Sequence, residues 1–122
     1  MSNWHVLVVE DDPDGQEVVS RILRHHNITV DVAPTGEDAL NMLNAIDYSL
    51  AVIDLSLPQI DGWRVLENIQ MTPRIAQLPC IAVTAFHSAD VAVKAIQAGF
   101  TAYFPKPIDP SSFVQELQNI VH

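Results

Sequence analysis

Leu50-Ala51-Val52-Ile53-Asp54 is the stretch that decides the fold. Four consecutive apolar residues with no polar alternation describe a strand covered on both faces, as in a parallel sheet held between layers of helices. Asp54 closes the run, where such a strand meets solvent. Working outward, the same pattern recurs. His5–Val9 (HVLVV) is a short apolar run that ends in Glu10-Asp11-Asp12. Ile28–Val32 reads as a strand, Pro79–Val83 as another that ends in Thr84, and Thr101–Phe104 as a last one leading through Pro105 into Lys106. Pro105 has no amide to donate to a ladder, so this last strand is expected to be short and at the sheet edge.

Between the strands the spacing turns helical. Asp12 caps a helix from Pro13 to about His26 with Val18, Val19, Ile22 and Leu23 on one face, and Asn27 suits its C′ position. Thr35 caps a helix carrying Ala39, Leu40, Leu43 and Ile46. Leu57-Pro58-Gln59-Ile60-Asp61-Gly62 has turn chemistry and leads into a helix from Trp63 to about Met71. Ser88 caps Ala89–Ala98, which Gly99 ends. Asp109 caps a final helix with Pro110 at its first position and Phe113, Val114, Leu117, Ile120 and Val121 as its stripe. Strand–helix alternation implies parallel pairing through right-handed crossovers, hence a doubly wound five-stranded α/β sheet in a single domain spanning residues 1–122. Ligands of such sheets bind beyond the carboxyl ends of the strands.

Composition narrows the function classes. Fifteen acids against six Lys and Arg give a net charge of −9, which repels nucleic acid and anionic membrane. Any DNA-directed output is therefore expected from another domain or protein. No apolar stretch reaches the ~18 residues of a spanning helix, and the start MSNWHVLVVEDD lacks a secretory signal. Cys80 reads as a small buried residue suited to a reducing cytoplasm.

Glu10, Asp11, Asp54, Thr84 and Lys106 all follow directly on apolar runs, so all belong to one edge of the sheet. Neighbouring residues on a strand face opposite ways, so at least two of the acids after the first strand share a pocket with Asp54. Clustered carboxylates need a cation or a proton, and a hard oxygen set without His or Cys points to Mg²⁺. A lysine and a hydroxyl beside it complete a site for a transferring phosphoryl group, with Asp54 as nucleophile. Taken singly, Asp12 is also a plain helix cap, Asp54 a turn former, Thr84 a capping hydroxyl and Lys106 a solvated charge. Their agreement in position carries the argument.

The segments VLVVEDD, VIDLSLPQIDG, IAVTA and YFPKP, in this order, resemble the receiver domain of two-component response regulators from about His5 to Ile120. The resemblance implies a flavodoxin-like (βα)5 sheet of order 2-1-3-4-5 and a cis peptide between Lys106 and Pro107. It makes Asp54 the phosphorylated aspartate and Asp11 the principal magnesium ligand, with Glu10 assisting through water and the Ser56 carbonyl adding a ligand. Thr84 and Lys106 would contact the phosphoryl oxygens, and Tyr103 would be the aromatic switch. The implied activity is that of a phospho-acceptor switch rather than an enzyme, assisting its own phosphorylation and dephosphorylation in the cytoplasm. The implied phosphodonor is a sensor histidine kinase or a histidine phosphotransfer protein. The face of the fourth helix, fifth strand and fifth helix would change shape, and a weak homodimer would use that face. The downstream effector is not specified.

Three rivals stand beside this reading. A receiver-like interaction module that is never phosphorylated predicts a damaged pocket, whereas every expected group is present. A haloacid-dehalogenase-type Mg²⁺-dependent phosphatase expects its nucleophile on the first strand in a D-x-D pattern, with a cap domain. A flavodoxin-like cofactor binder needs a phosphate-binding loop where Glu10-Asp11-Asp12 would repel phosphate. Met1, close to the first strand, reads as a natural N-terminus; the chain is then either a single-domain regulator or a receiver cut from a longer protein. The fourth helix lacks dense charge pairs, which favours a stand-alone or hybrid-kinase-type receiver. Ser56 and Phe86 flank the route of a hydrolytic water, Ser56 leaving it open and Phe86 shielding it. His5, His25, His26 and His87 are expected in capping or surface roles, and Trp4 and Trp63 in packing.

Overall fold

The computed structural model describes residues 3–57 and 59–121; Pro58, expected in the loop after the third strand, lies outside the described residues. Ten elements alternate strictly: β1 His5–Val9, α1 Pro13–His25, β2 Thr29–Ala33, α2 Gly36–Ala45, β3 Leu50–Asp54, α3 Gly62–Gln70, β4 Cys80–Thr84, α4 Ala89–Ala98, β5 Ala102–Pro105 and α5 Pro110–Ile120. The strands form one sheet in the order β2-β1-β3-β4-β5, every pair parallel. β5 has four residues and lies at the edge, as Pro105 requires. The Lys106–Pro107 peptide is cis, as expected. Among the described residues no helix is long and apolar enough to cross a membrane.

The alternation of side chains along the strands divides the core in two. Leu7, Val9, Ala51, Ile53 and Ala82 face α2, α3 and α4, where they meet Leu43, Val65, Leu66, Ile69 and Ala95. Val6, Val8, Leu50, Val52, Ile81 and Val83 face α1 and α5, where they meet Val19, Leu23, Phe113 and Leu117. β3 is buried at every position, which is why its sequence shows no alternation. Each buried Val, Leu, Ile or Phe among them contributes roughly 1.5–3 kcal/mol of burial, and the strands are held in register by what they cover.

Local signals set the boundaries. Asp12, Thr35, Asp61 and Ser88 each accept a hydrogen bond from a first-turn amide of the helix they precede. Because Asp61 is the cap, α3 starts at Gly62, one residue before the expected Trp63. Gly99 ends α4 at φ 118°, a conformation that a β-carbon disfavours. Asn27 takes φ 61°, and the Ile28 amide still bonds back to Leu23. Ile28 thus belongs to the closing turn of α1, and β2 starts at Thr29 instead.

Two expectations are corrected. Asp109 occupies the N-cap position of α5 but makes no side-chain cap; its carboxylate accepts from the Ser111 hydroxyl at 3.3 Å. His5 is neither a cap nor a free surface residue. It is half-buried, with Nε2 2.7 Å from Asp31 Oδ2, and the Tyr48 hydroxyl donates to the same oxygen at 2.8 Å. Its partners lie on β2 and before β3, so the sheet, and not the neighbouring sequence, creates the contact.

Candidate functional site

β1 and β3 are neighbours with Val9 paired to Ile53, so Glu10 and Asp54 leave the sheet side by side. Glu10 is held in place by its own backbone: its amide donates to Ala33 O at 3.1 Å and its carbonyl accepts from Gln16 Nε2 at 2.7 Å. Gly15 in the first turn of α1 lies so near that a β-carbon there would collide with the Glu10 carboxylate. Lys106 arrives from the far side of β4. Thr84 pairs with Pro105, the Lys106 amide donates to Thr84 O at 2.9 Å, and the side chain reaches over the strand ends. Its Nζ donates to Asp54 Oδ2 at 3.1 Å and to Glu10 Oε1.

One oxygen each from Glu10, Asp11 and Asp54 lie within 4.8 Å of one another. Glu10 and Asp54 are buried at 2% and 5% exposure, whereas Asp11 is open to solvent. The cluster therefore has two buried acids, tied by a partly buried lysine, and a third acid on its solvent side. Asp54 Oδ1 also accepts from the Ser56 amide at 2.9 Å.

Burial pushes the Glu10 carboxyl up to about 7, aided by its hydrogen bond with Asp54 and opposed by Lys106. Burial also acts to raise Asp54, but the hydrogen bonds from Glu10 and the Ser56 amide, with the Lys106 charge, outweigh it and hold Asp54 below its ordinary value. Burial would lower Lys106; its hydrogen bond to Glu10 and the two carboxylate charges raise it instead. At neutral pH Asp54 is thus an anion pinned by an ammonium, and Glu10 is the member of the pair that takes up a proton.

The donor set suits a hard divalent cation. All three candidate ligands are carboxylates, and Glu10 Oε2 is buried without a hydrogen-bond partner among the described residues. Three carboxylates and one ammonium, fully ionised, leave two negative charges, which a divalent ion neutralises.

The other expected residues lie near this cluster or on the elements beside it. Thr84 lies one position beyond Val83, the register partner of Asp54, and its buried hydroxyl accepts from the Phe86 amide at 3.0 Å. Ser56 is exposed and reaches Asp54 through its amide. Phe86, whose amide donates to the Thr84 hydroxyl, is 73% exposed. Tyr103 stands outside it, its ring half-buried and its hydroxyl 2.7 Å from His87 Nδ1. Sequence reasoning missed Gly15, Gln16 and His87. A glycine inside an otherwise regular helix was the one visible signal, since helices disfavour it unless something packs close.

A 2-1-3-4-5 parallel sheet with buried acids at its carboxyl edge defines a receiver-type α/β protein. Residues 6–118 match the response regulator receiver domain model, and the chain belongs to that family, the receiver domains of two-component signalling. An uncharacterized 14.6 kDa protein of Leptolyngbya boryana is 31% identical over 118 residues, covering 97% of this chain and 90% of that protein. The histidine-protein kinase BarA of Escherichia coli is 31% identical over 104 residues, which is 85% of this chain but 11% of BarA. A putative response regulator from Chloroflexus aurantiacus superposes with a TM-score of 0.91 at 28% identity, over 96% of each chain. The chain thus spans nearly all of the Leptolyngbya relative, and about half of the Escherichia coli regulator HprR, at 49%.

Proposed function

We propose that this receiver domain is a phosphorylation switch in which Asp54 takes a phosphoryl group from a phosphohistidine on a sensor kinase or a phosphotransfer protein. The observation that carries the reading is Lys106 Nζ bound at once to Asp54 and Glu10, with Asp11 in the same carboxylate cluster. Asp54 Oδ1 is oriented by the Ser56 amide, and its low pKa keeps it ionised and ready to attack. Attack forms an oxygen–phosphorus bond to Asp54 and breaks the nitrogen–phosphorus bond of the donor, whose imidazole keeps the electron pair. Lys106 then faces the new phosphoryl oxygens, and the Thr84 hydroxyl can leave the Phe86 amide to meet them. Asp11, Asp54 and the Ser56 carbonyl, with Glu10 assisting, would hold Mg²⁺, which would supply charge neutralisation for the transferring phosphoryl group.

The switch is a population shift: contacts made only by the phosphorylated state favour one arrangement of the α4-β5-α5 face, with Thr84 and Tyr103 as its moving parts. Water attack on the acyl phosphate resets it. Phe86, two residues beyond Thr84, would partly shield the route of that water, and the small Ser56 would leave access open.

Incubation with acetyl phosphate and Mg²⁺, followed by intact mass measurement, tests the reading. One phosphoryl adduct is expected, absent with EDTA and absent in Asp54→Ala. A wild-type protein left unmodified by acetyl phosphate and by phosphohistidine donors overturns it. Steady hydrolysis of a free phosphate ester would instead mark a phosphatase.

A further inference from the structure

Tyr103 packs its ring against the core cluster that contains Ala82 and Ala95, and turns its hydroxyl outward to the segment between β4 and α4. His87 meets it there. The two rings lie 5.5 Å apart at 38°, and His87 Nδ1 is 2.7 Å from the Tyr103 oxygen. One residue earlier in the same segment, the Phe86 amide donates to the Thr84 hydroxyl at 3.0 Å. One residue later, Ser88 caps α4. Residues 85–88 are therefore fastened at both ends: to the buried Thr84 hydroxyl through the Phe86 amide, and to the outer edge strand through Tyr103, whose hydroxyl meets both His87 Nδ1 and the Ser88 backbone.

We propose that His87 is a positioning residue, a latch that holds the Tyr103 hydroxyl against the start of α4 and couples it to the state of Thr84. This deepens the phosphorylation reading above and rests on it. The segment is too short to absorb a displacement at one end. When the Thr84 hydroxyl turns to a phosphoryl oxygen, Phe86 loses its acceptor, the backbone that carries His87 shifts, and the bond to Tyr103 loosens. Conversely, a Tyr103 held by His87 favours the arrangement in which Thr84 serves Phe86. His87 is exposed, so its replacement leaves the core intact.

The chain has two tyrosines, so 3-fluorotyrosine labelling gives two ¹⁹F resonances, with Tyr48→Phe assigning them. Without any phosphodonor, His87→Ala is expected to move the Tyr103 resonance, changing the ratio of its two positions about fivefold, the equivalent of one hydrogen bond. His87→Asn, whose amide sits near the place of Nδ1, is expected to restore it. A Tyr103 resonance unmoved in His87→Ala overturns the latch. An Asn variant that behaves like Ala overturns the claim that the hydrogen bond holds the ring. In wild-type protein carrying the adduct by mass, the resonance should move in the direction set by His87→Ala; an unmoved signal there overturns the coupling. Failure to form an adduct at all counts against the phosphorylation reading, and the donor-free spectra still decide the latch.

Discussion

The buried acid pair makes stability depend on pH in a window of its own. Glu10, with its side chain 3% exposed, carries a carboxyl raised from 4.5 to about 7. A group with a raised folded pKa contributes stability that is fully present below the unfolded value and is lost as pH rises through the folded one. Without metal, the protein should therefore lose stability between about pH 4.5 and 8. The difference of 2.5 units (7 − 4.5), at about 1.4 kcal/mol per unit, sets a ceiling of roughly 3–4 kcal/mol. For a chain of this length that is at most roughly 10–15 °C in Tm. Asp54, held below its ordinary value of 3.8, acts in the opposite sense and only at lower pH; Lys106, held above 10.5, acts only at higher pH. Mg²⁺ should reverse the trend, because it binds the ionised acids: at ~100 times its Kd it adds about 2.7 kcal/mol, and this gain should shrink as pH falls through 7. The assay is thermal denaturation at constant ionic strength from pH 4.5 to 8, with EDTA or with MgCl₂, on wild type and on Glu10→Gln. The variant should lose most of the slope and part of the Mg²⁺ response. Equal slopes in the two proteins would refute the assignment of the proton to Glu10.

Ser20 lies on α1 at 2% exposure with a hydroxyl that has no partner among the described residues, so Ser20→Ala should raise stability by ~1 kcal/mol in urea denaturation. Gly15→Ala places a β-carbon against the Glu10 carboxylate and should displace it, with Mg²⁺ affinity by calorimetry falling at least several-fold. Phe113, fully buried and stacked edge-on at 5.0 Å against Phe104, should cost ~3–5 kcal/mol on truncation to alanine. Chemical denaturation with an unchanged m-value checks that loss.

Element type and order were legible in the residues themselves. LAVI has no polar alternation, and a strand of that kind survives only when covered on both faces; Asp12, Thr35 and Ser88 capped the helices they precede because a short polar side chain satisfies amides that the helix leaves open. The location of Glu10, Asp11, Asp54 and Lys106 at one edge followed for the same reason, since each ends or closely follows an apolar run. What sequence spacing does not contain is distance through space. Lys106 and Glu10 are 96 positions apart and meet only because β1, β3, β4 and β5 lie in that order, with Lys106 reaching over the strand ends. Protonation depends on burial, so Glu10 rising and Asp54 falling could not be read from two acids of similar type. The bonds of His87 to Tyr103 and of His5 to Asp31 likewise join residues from different elements, and the uncapped Asp109 shows a local signal set aside by its surroundings. Composition and periodicity thus determined which residues reach the edge of the sheet; the packing of the sheet decided which of them touch, and what charge each carries.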